Sequence, residues 1–133
     1  MIKSYRYQEG FTLLELMVVI CILGVLAVVA VPRFEGAIAQ ANSVKIQMDM
    51  ETIDTAAIMY QSQHGTSPAD VASLEDYIED VDDVKPPKGK CFINGTLSDV
   101  PAESYSLQAD EGSTVKKAHC GNYGRRDFGT EKS

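Results

Sequence analysis

The stretch QEGFTLLELMVVICILGVLAVVAVPRF, residues 8–34, decides the fold of this chain. Its apolar part runs from Phe11 to Val31, about 21 residues, which as a helix rising about 1.5 Å per residue is roughly 32 Å long. The hydrocarbon core of a bilayer is about 30 Å thick. The stretch therefore predicts a membrane-spanning helix, and Glu15 is the one charged residue inside it.

The residues that flank the span predict its orientation and argue against an ordinary export signal. The leader before it carries Lys3 and Arg6 against Glu9, and basic residues mark the cytoplasmic side of a membrane helix. A secretory signal peptide has a shorter apolar core and then a small-residue cleavage site, whereas this run continues through Pro32. A lipoprotein signal needs a small residue before its cysteine, but Ile20 precedes Cys21. We expect a single-pass protein whose bulk lies outside the cytoplasm.

The rest of the chain is short and acidic. The sequence has 133 residues, with 12 Lys and Arg against 19 Asp and Glu, which gives a formal net charge of −7. Because so much of the chain is taken up by the apolar run and its continuation, only one small domain with a thin core can follow. The acidic balance lacks the basic footprint of a nucleic-acid binder, so we expect no direct contact with nucleic acid.

Beyond Pro32 the apolar residues recur at helical spacing and form two offset stripes. A helix that lies on its own domain needs one such stripe, so two stripes predict two packing partners. Gly65 is a suitable stop, and we expect the helix to continue to about Gln63. The first stripe is Ala37, Ala41, Val44 and Met48, and the second is Ile46, Met50, Ile53, Ala57 and Tyr60.

The C-terminal part predicts a small antiparallel sheet laid across this helix. Ser67-Pro68 begins a short helix or turn-rich segment, and Asn94-Gly95 is a strong two-residue hairpin signal. Two further short strands are predicted at residues 105–109 and 114–120, and the polar tail from Gly121 to Ser133 is predicted to be loose. The predicted fold class is α+β: a long N-terminal α-helix with a small C-terminal antiparallel β-sheet head.

The cysteines form a candidate cross-link. Cys21 lies in the apolar run and is expected to stay a free thiol, whereas Cys91 and Cys120 are an even pair beyond a membrane segment, which predicts a disulfide in an oxidising compartment. The bond would close a loop of about 29 residues and contribute roughly 3–4 kcal/mol. Zinc bound by these cysteines with His64 and His119 is the less simple alternative, because the cysteines lack a tight pair spacing.

No catalytic set is recognisable, because no nucleophile, base and orienting group occur together. We therefore expect no enzyme activity, no cofactor and no metal site. The sequence also contains an acidic run, which consists of Glu79, Asp80, Asp82 and Asp83. We interpret this run as a solvated face. Calcium binding there stays open, although the spacing of a calcium loop is missing.

The carboxylate of Glu15 has two interpretations. A charge near the centre of a membrane helix costs about 2.5–3.5 kcal/mol on insertion scales, and somewhat less near an end. Glu15 is therefore either a residue that reaches back to the membrane interface or one that has a partner for its charge.

The residues around Glu15 resemble the prepilin signature of type IV pilins and of the pseudopilins of type II secretion and competence systems. The resemblance covers residues 8–34: a polar, basic leader ending in Gly10, then Phe11, Thr12 and an apolar run that contains Glu15. It implies that a membrane-embedded aspartic peptidase cuts between Gly10 and Phe11 and methylates the new amino terminus of Phe11. It also implies that Glu15 pairs with the amino terminus of a neighbouring subunit during assembly.

The resemblance implies four segments: a cytoplasmic leader at 1–10, a transmembrane and filament-core helix at 11–31, an amphipathic continuation at 32–63 and a small head at 64–133. Three functions follow as hypotheses. The first is a type IV pilin that polymerises into an extracellular filament for adhesion, motility or DNA uptake, which the size of the head, the disulfide near the C-terminus and the exposed tail favour. The alternatives are a pseudopilin of a type II secretion or competence system and a monomeric membrane-tethered binding module. The expected partners of a pilin are copies of itself, the prepilin peptidase and methyltransferase, and an inner-membrane assembly platform. The precursor is expected in the bacterial inner membrane and the assembled filament outside the cell.

Overall fold

A computed structural model describes residues 10–130 of the chain, so the basic leader and the last three residues lie outside the described part. The described residues divide into two compact units between Phe34 and Glu35. One long helix and four strands confirm the predicted α+β class. The elements are α1 (Leu13–His64), β1 (Lys90–Ile93), β2 (Thr96–Asp99), β3 (Tyr105–Ala109) and β4 (Lys116–Cys120), with 3₁₀ turns at Ala72–Leu74, Val81–Asp83 and Arg125–Asp127.

The first unit contains the apolar part of α1. Its large apolar side chains from Leu13 to Val31 are exposed, and the described residues bury none of the apolar window. By length and composition this part of the helix can cross a membrane. Exposed apolar side chains over such a length are expected to be covered by lipid or by protein, because water would leave them unfavourably hydrated.

The second unit is built on the remainder of α1, and its two stripes lie in different environments. The second stripe supplies core residues, with Met50 0% exposed, whereas Met48 of the first stripe is 63% exposed. The helix ends at His64, and Gly65 follows with a φ of 73° and an amide that donates to the Gln61 carbonyl at 2.8 Å. The predicted helix stop is therefore confirmed, because the positive φ suits a glycine there.

The strands form two separate two-stranded antiparallel sheets rather than one. β1 pairs with β2 around a turn in which Asn94 and Gly95 have φ values of 49° and 76°, so the predicted hairpin is confirmed. β3 pairs with β4, with Tyr105 opposite Cys120. Each sheet has a face that packs into the same core, because α1 provides the common surface beneath both.

The prediction of a loose tail is wrong for the residues up to 130. Phe128 is 2% exposed and forms an isolated antiparallel bridge with Ile93. The Asn94 amide donates to the Asp127 carbonyl at 2.7 Å, and the side-chain amide of Gln47 donates to the Phe128 carbonyl. One buried aromatic ring and these bonds dock the segment, which an average over its polar composition does not reveal.

Polar side chains of α1 hold the strands in register with the helix. Ser43 is buried, donates to the Ala39 carbonyl at 2.9 Å and accepts from the Phe92 amide at 2.7 Å. A carboxylate oxygen of Asp54 likewise accepts from the Ala118 amide of β4 at 2.7 Å. Each bond satisfies a strand amide in a partly buried setting, where an unpaired amide would be costly.

Replacing Ser43 with alanine is expected to lower the free energy of unfolding by about 1–3 kcal/mol, because the Phe92 amide loses its acceptor beneath the sheet. Thr52→Ala is the matched control, since the Thr52 hydroxyl is exposed and donates to the Met48 carbonyl of its own helix. Its effect is expected to stay within about 0.5 kcal/mol. Thermal unfolding of the full chain in detergent measures both, and equal midpoints would contradict the role given to Ser43.

Candidate processing and assembly site

The start of α1 is fixed by two reciprocal hydrogen bonds. The Thr12 amide donates to Oε2 of Glu15 at 2.9 Å, and the Glu15 amide donates to Oγ1 of Thr12 at 3.2 Å. The Leu16 amide then donates to the Thr12 carbonyl at 3.2 Å, which is the first i to i−4 hydrogen bond of the helix. Thr12 is thus the N-cap and Glu15 the third helical residue, an arrangement known as a capping box.

This role of Thr12 and Glu15 was missed by the sequence analysis, although the spacing Thr-x-x-Glu before an apolar run is a local signal for it. The carboxylate of Glu15 is exposed and satisfies a backbone amide of its own chain. It lies at the positive end of the helix dipole, which favours a negative charge. Glu15 therefore has a structural function in the single chain in addition to any function between chains.

The predicted cleavage residues lie just outside the helix. Gly10 and Phe11 precede Leu13, where α1 begins, and the Phe11 ring is 88% exposed. Among residues 10–130, a Cβ atom added to Gly10 would meet no atom within 4 Å. The fold of the described residues therefore does not itself demand a glycine at position 10.

The predicted cysteine pair lies in the core of the second unit. Cys91 on β1 and Cys120 on β4 are both 0% exposed, and both are free thiols in this structure. Burial raises the pKa of Cys91, and burial together with the nearby Cys91 thiol raises the pKa of Cys120 to about 11. Their pairing stays a prediction, whereas Cys21 is an exposed thiol on the apolar part of α1.

The alternative zinc ligands are engaged elsewhere. His64 stacks on the Tyr60 ring at a centroid distance of 4.2 Å, and Nδ1 of His119 lies 3.1 Å from the Lys117 carbonyl. Among residues 10–130, no three His, Cys, Asp or Glu side chains are grouped closely enough to hold a metal ion. The acidic run lies at the 3₁₀ turn Val81–Asp83 and in the residues just before it.

A second candidate site is the exposed face of α1 in the second unit, which we call the outer stripe. Its members are uncharged and lie on the side of the helix opposite the buried stripe, at spacings of three or four residues. Several of them are alanine or threonine, whose small side chains allow close approach of another helix. The outer stripe consists of Ala37, Ala41, Val44, Met48, Thr52, Thr55 and Met59.

Comparison with known proteins relates the chain to two groups of bacterial proteins. The family described as "Prokaryotic N-terminal methylation motif" matches residues 5–31. Type II secretion system core protein G of Vibrio cholerae serotype O1 is 40% identical over 73 residues, which are 55% of this chain and 50% of that protein. The core protein G of Escherichia coli K12 is 40% identical over 72 residues, 54% of this chain and 50% of that protein.

Type IV major pilin protein PilE1 of Neisseria gonorrhoeae is 30% identical over 129 residues, 94% of this chain and 56% of that protein. The chain spans about half the length of the curated relatives it matches. No solved structure matches it. The methylation motif covers the leader junction, the capping box and the apolar helix, and the relatives are named as type II secretion core proteins and as type IV pilins. The chain therefore carries the prokaryotic N-terminal methylation motif and is similar both to core protein G of type II secretion systems and to a type IV major pilin.

Proposed function

We propose that the chain is a structural subunit that is cut between Gly10 and Phe11, methylated at Phe11 and polymerised into a filament. The apolar helix and the methylation motif fit a precursor held in the inner membrane. Assembly then moves subunits from that membrane into a filament outside the cell. The proposed partners are further copies of the chain, the prepilin peptidase and methyltransferase, and an inner-membrane assembly platform.

One observation carries this proposal: α1 exposes apolar surface along both units, while the head covers one side of its second half. In the first unit the large apolar side chains from Leu13 to Val31 are exposed. In the second unit the outer stripe is exposed, although it continues the apolar pattern of the helix. Lipid can cover the first region in the precursor. The outer stripe is best covered by helices of neighbouring copies, because apolar faces of helices associate by packing against one another.

The filament is either a type IV pilus or the pseudopilus of a type II secretion system. The small head, with its predicted disulfide near the C-terminus, favours a pilus. The relatives support a pseudopilus at least as well, since several matches at about 40% identity are core protein G of type II secretion systems. The match to the pilin protein PilE1 extends over more of this chain at lower identity. We therefore carry both filaments as candidates, and adhesion, motility and DNA uptake as pilus functions.

Electron microscopy of material sheared from intact cells, with mass spectrometry of its subunits, tests the proposal. Filaments that contain this chain with a methylated Phe11 at its N-terminus would support it. Loss of surface filaments on deletion of the gene indicates a pilus, whereas retention of secreted enzymes inside the cell indicates a pseudopilus. A chain found solely as a membrane monomer would favour the tethered binding module.

An aspartate placed on the outer stripe is expected to block assembly without unfolding the head. Met48→Asp puts a charge on an exposed position, so the head stays folded, but in the filament that carboxylate would be buried without a partner. Filament yield is expected to fall at least about tenfold relative to the membrane pool. Met48→Leu keeps the apolar surface and should assemble normally.

Met50→Asp provides the opposite comparison, because Met50 lies on the buried stripe two residues away. It should unfold the head and make the chain sensitive to protease, since the charge enters an apolar core. Normal filament yield from Met48→Asp would show that the outer stripe is not part of the subunit interface.

Cys91 and Cys120 are expected to form a disulfide in chains exported to an oxidising compartment. Both are buried in one core, and closure of the loop would contribute roughly 3–4 kcal/mol to a small head. Peptide mapping without reductant on chains from outside the cytoplasm should recover one cross-linked peptide and a free Cys21. Free thiols at both head positions would contradict the pairing. In that case Cys91→Ser should change the stability of the head only through altered packing, because it would break no disulfide.

A further inference from the structure

We propose that Thr12 is a positioning residue for leader cleavage, because its side chain ends α1 before the scissile peptide bond. This inference rests on the proposed processing between Gly10 and Phe11 and adds a residue to it. Two hydrogen bonds carry it: the amide of Glu15 bonded to Oγ1 of Thr12, and the amide of Thr12 bonded to the Glu15 carboxylate. They place the first helical residue at Leu13, two positions after Phe11.

Without a cap, extension of the helix towards the leader is favoured. Helix formation satisfies backbone amides internally, and this is strongly favoured wherever the chain enters the apolar phase of a membrane. Phe11 is apolar, and residues 5–9, Tyr-Arg-Tyr-Gln-Glu, contain no proline to stop such an extension. The capping box supplies acceptors for the amides of residues 12 and 15, so the helix gains less from another turn.

The position of the helix start matters for the chemistry of cleavage. A peptide bond inside a helix has its carbonyl and amide in the hydrogen-bond ladder, so a protease acts on it after local opening. In this chain the backbone from Gly10 to Thr12 is already outside the helix. The Gly10–Phe11 bond can therefore enter an active site without the free energy needed to unwind a turn.

The test is the rate of leader removal from the full-length precursor in detergent by a purified prepilin peptidase. Thr12→Val keeps the shape of the side chain and removes the acceptor, and it is expected to lower kcat/KM about fivefold, the factor for loss of a typical N-cap. Thr12→Ser keeps the hydroxyl and is expected to match wild type. Cα chemical shifts of Phe11 should become helical in Thr12→Val and stay non-helical in Thr12→Ser.

Three results overturn the inference. One is a rate for Thr12→Val that equals or exceeds the wild-type rate. Another is a rate for Thr12→Ser as low as that of Thr12→Val, which would mean that the peptidase recognises the whole threonine side chain rather than the cap. The third is slower cleavage of Thr12→Val with unchanged shifts at Phe11. If the wild-type precursor is never cut, the proposed processing fails, and this inference fails with it. If the wild type is cut and Thr12→Val is cut equally fast, this inference alone is wrong.

Discussion

Glu15→Val is expected to give a precursor that inserts and is cleaved but does not assemble. The substitution removes the costly charged group from the span, so insertion should improve. The hydroxyl of Thr12 still accepts from the amide of residue 15, so the N-cap persists and cleavage continues. In a filament, however, the amino terminus of Phe11 would be buried without a counter-charge. Loss of one partner of a buried ion pair costs about 3–5 kcal/mol, or a factor of roughly 10² to 4 × 10³ in an association constant.

The capping box requires a second variant, because Glu15→Val removes a hydrogen bond as well as a charge. Glu15→Gln keeps an oxygen that can accept from the Thr12 amide, since glutamine also serves at the third position of a capping box. If the charge is what assembly needs, both variants fail. If capping is the whole function, Glu15→Gln forms filaments at normal yield and Glu15→Val is impaired.

The yield of sheared filaments against the membrane pool measures both variants, and N-terminal sequencing confirms that each chain was cleaved. Normal filaments from both would mean that the carboxylate is incidental to assembly and merely reaches the membrane interface. That outcome would contradict the proposed pairing between Glu15 and the amino terminus of a neighbour.

Gly10→Val is expected to leave the leader on the chain. A Cβ atom at this position meets no atom of the described residues within 4 Å, so the variant should fold and insert as wild type does. Any requirement for glycine must then come from the peptidase, whose active site has to approach the backbone on both sides of the scissile bond. A displacement of about 1 Å at a reacting centre costs about 10² in rate, so cleavage should fall by at least about that factor.

Intact mass of the membrane form measures this effect, since loss of the leader changes the mass by ten residues. Gly36→Val is a useful control, because a Cβ atom there also meets nothing within 4 Å and the position lies far from the junction. It should be cut at the wild-type rate. Efficient cleavage of Gly10→Val after residue 10 would contradict the processing site, and a mature N-terminus at Met1 in wild type would contradict the whole proposal.

Features that depend on neighbouring residues were predicted well. The apolar span, the continuous helix and its stop at Gly65 follow from periodicity and from one conformationally free residue. The hairpin at Asn94-Gly95 follows from the positive φ values that a tight turn demands. The capping box was equally local, but Glu15 was interpreted by its charge alone and the Thr-x-x-Glu spacing was not used.

Features that depend on distant partners could not be predicted from the pattern. Both stripes of α1 are apolar at helical spacing, yet the head covers the one that contains Met50 and leaves Met48 exposed. The docking of Phe128, the split into two sheets and the strand amide bonded to Ser43 are of the same kind. Periodicity records how residues repeat along one element. It does not record which surface of another element will close over it, even one 49 residues away, as Phe92 is from Ser43.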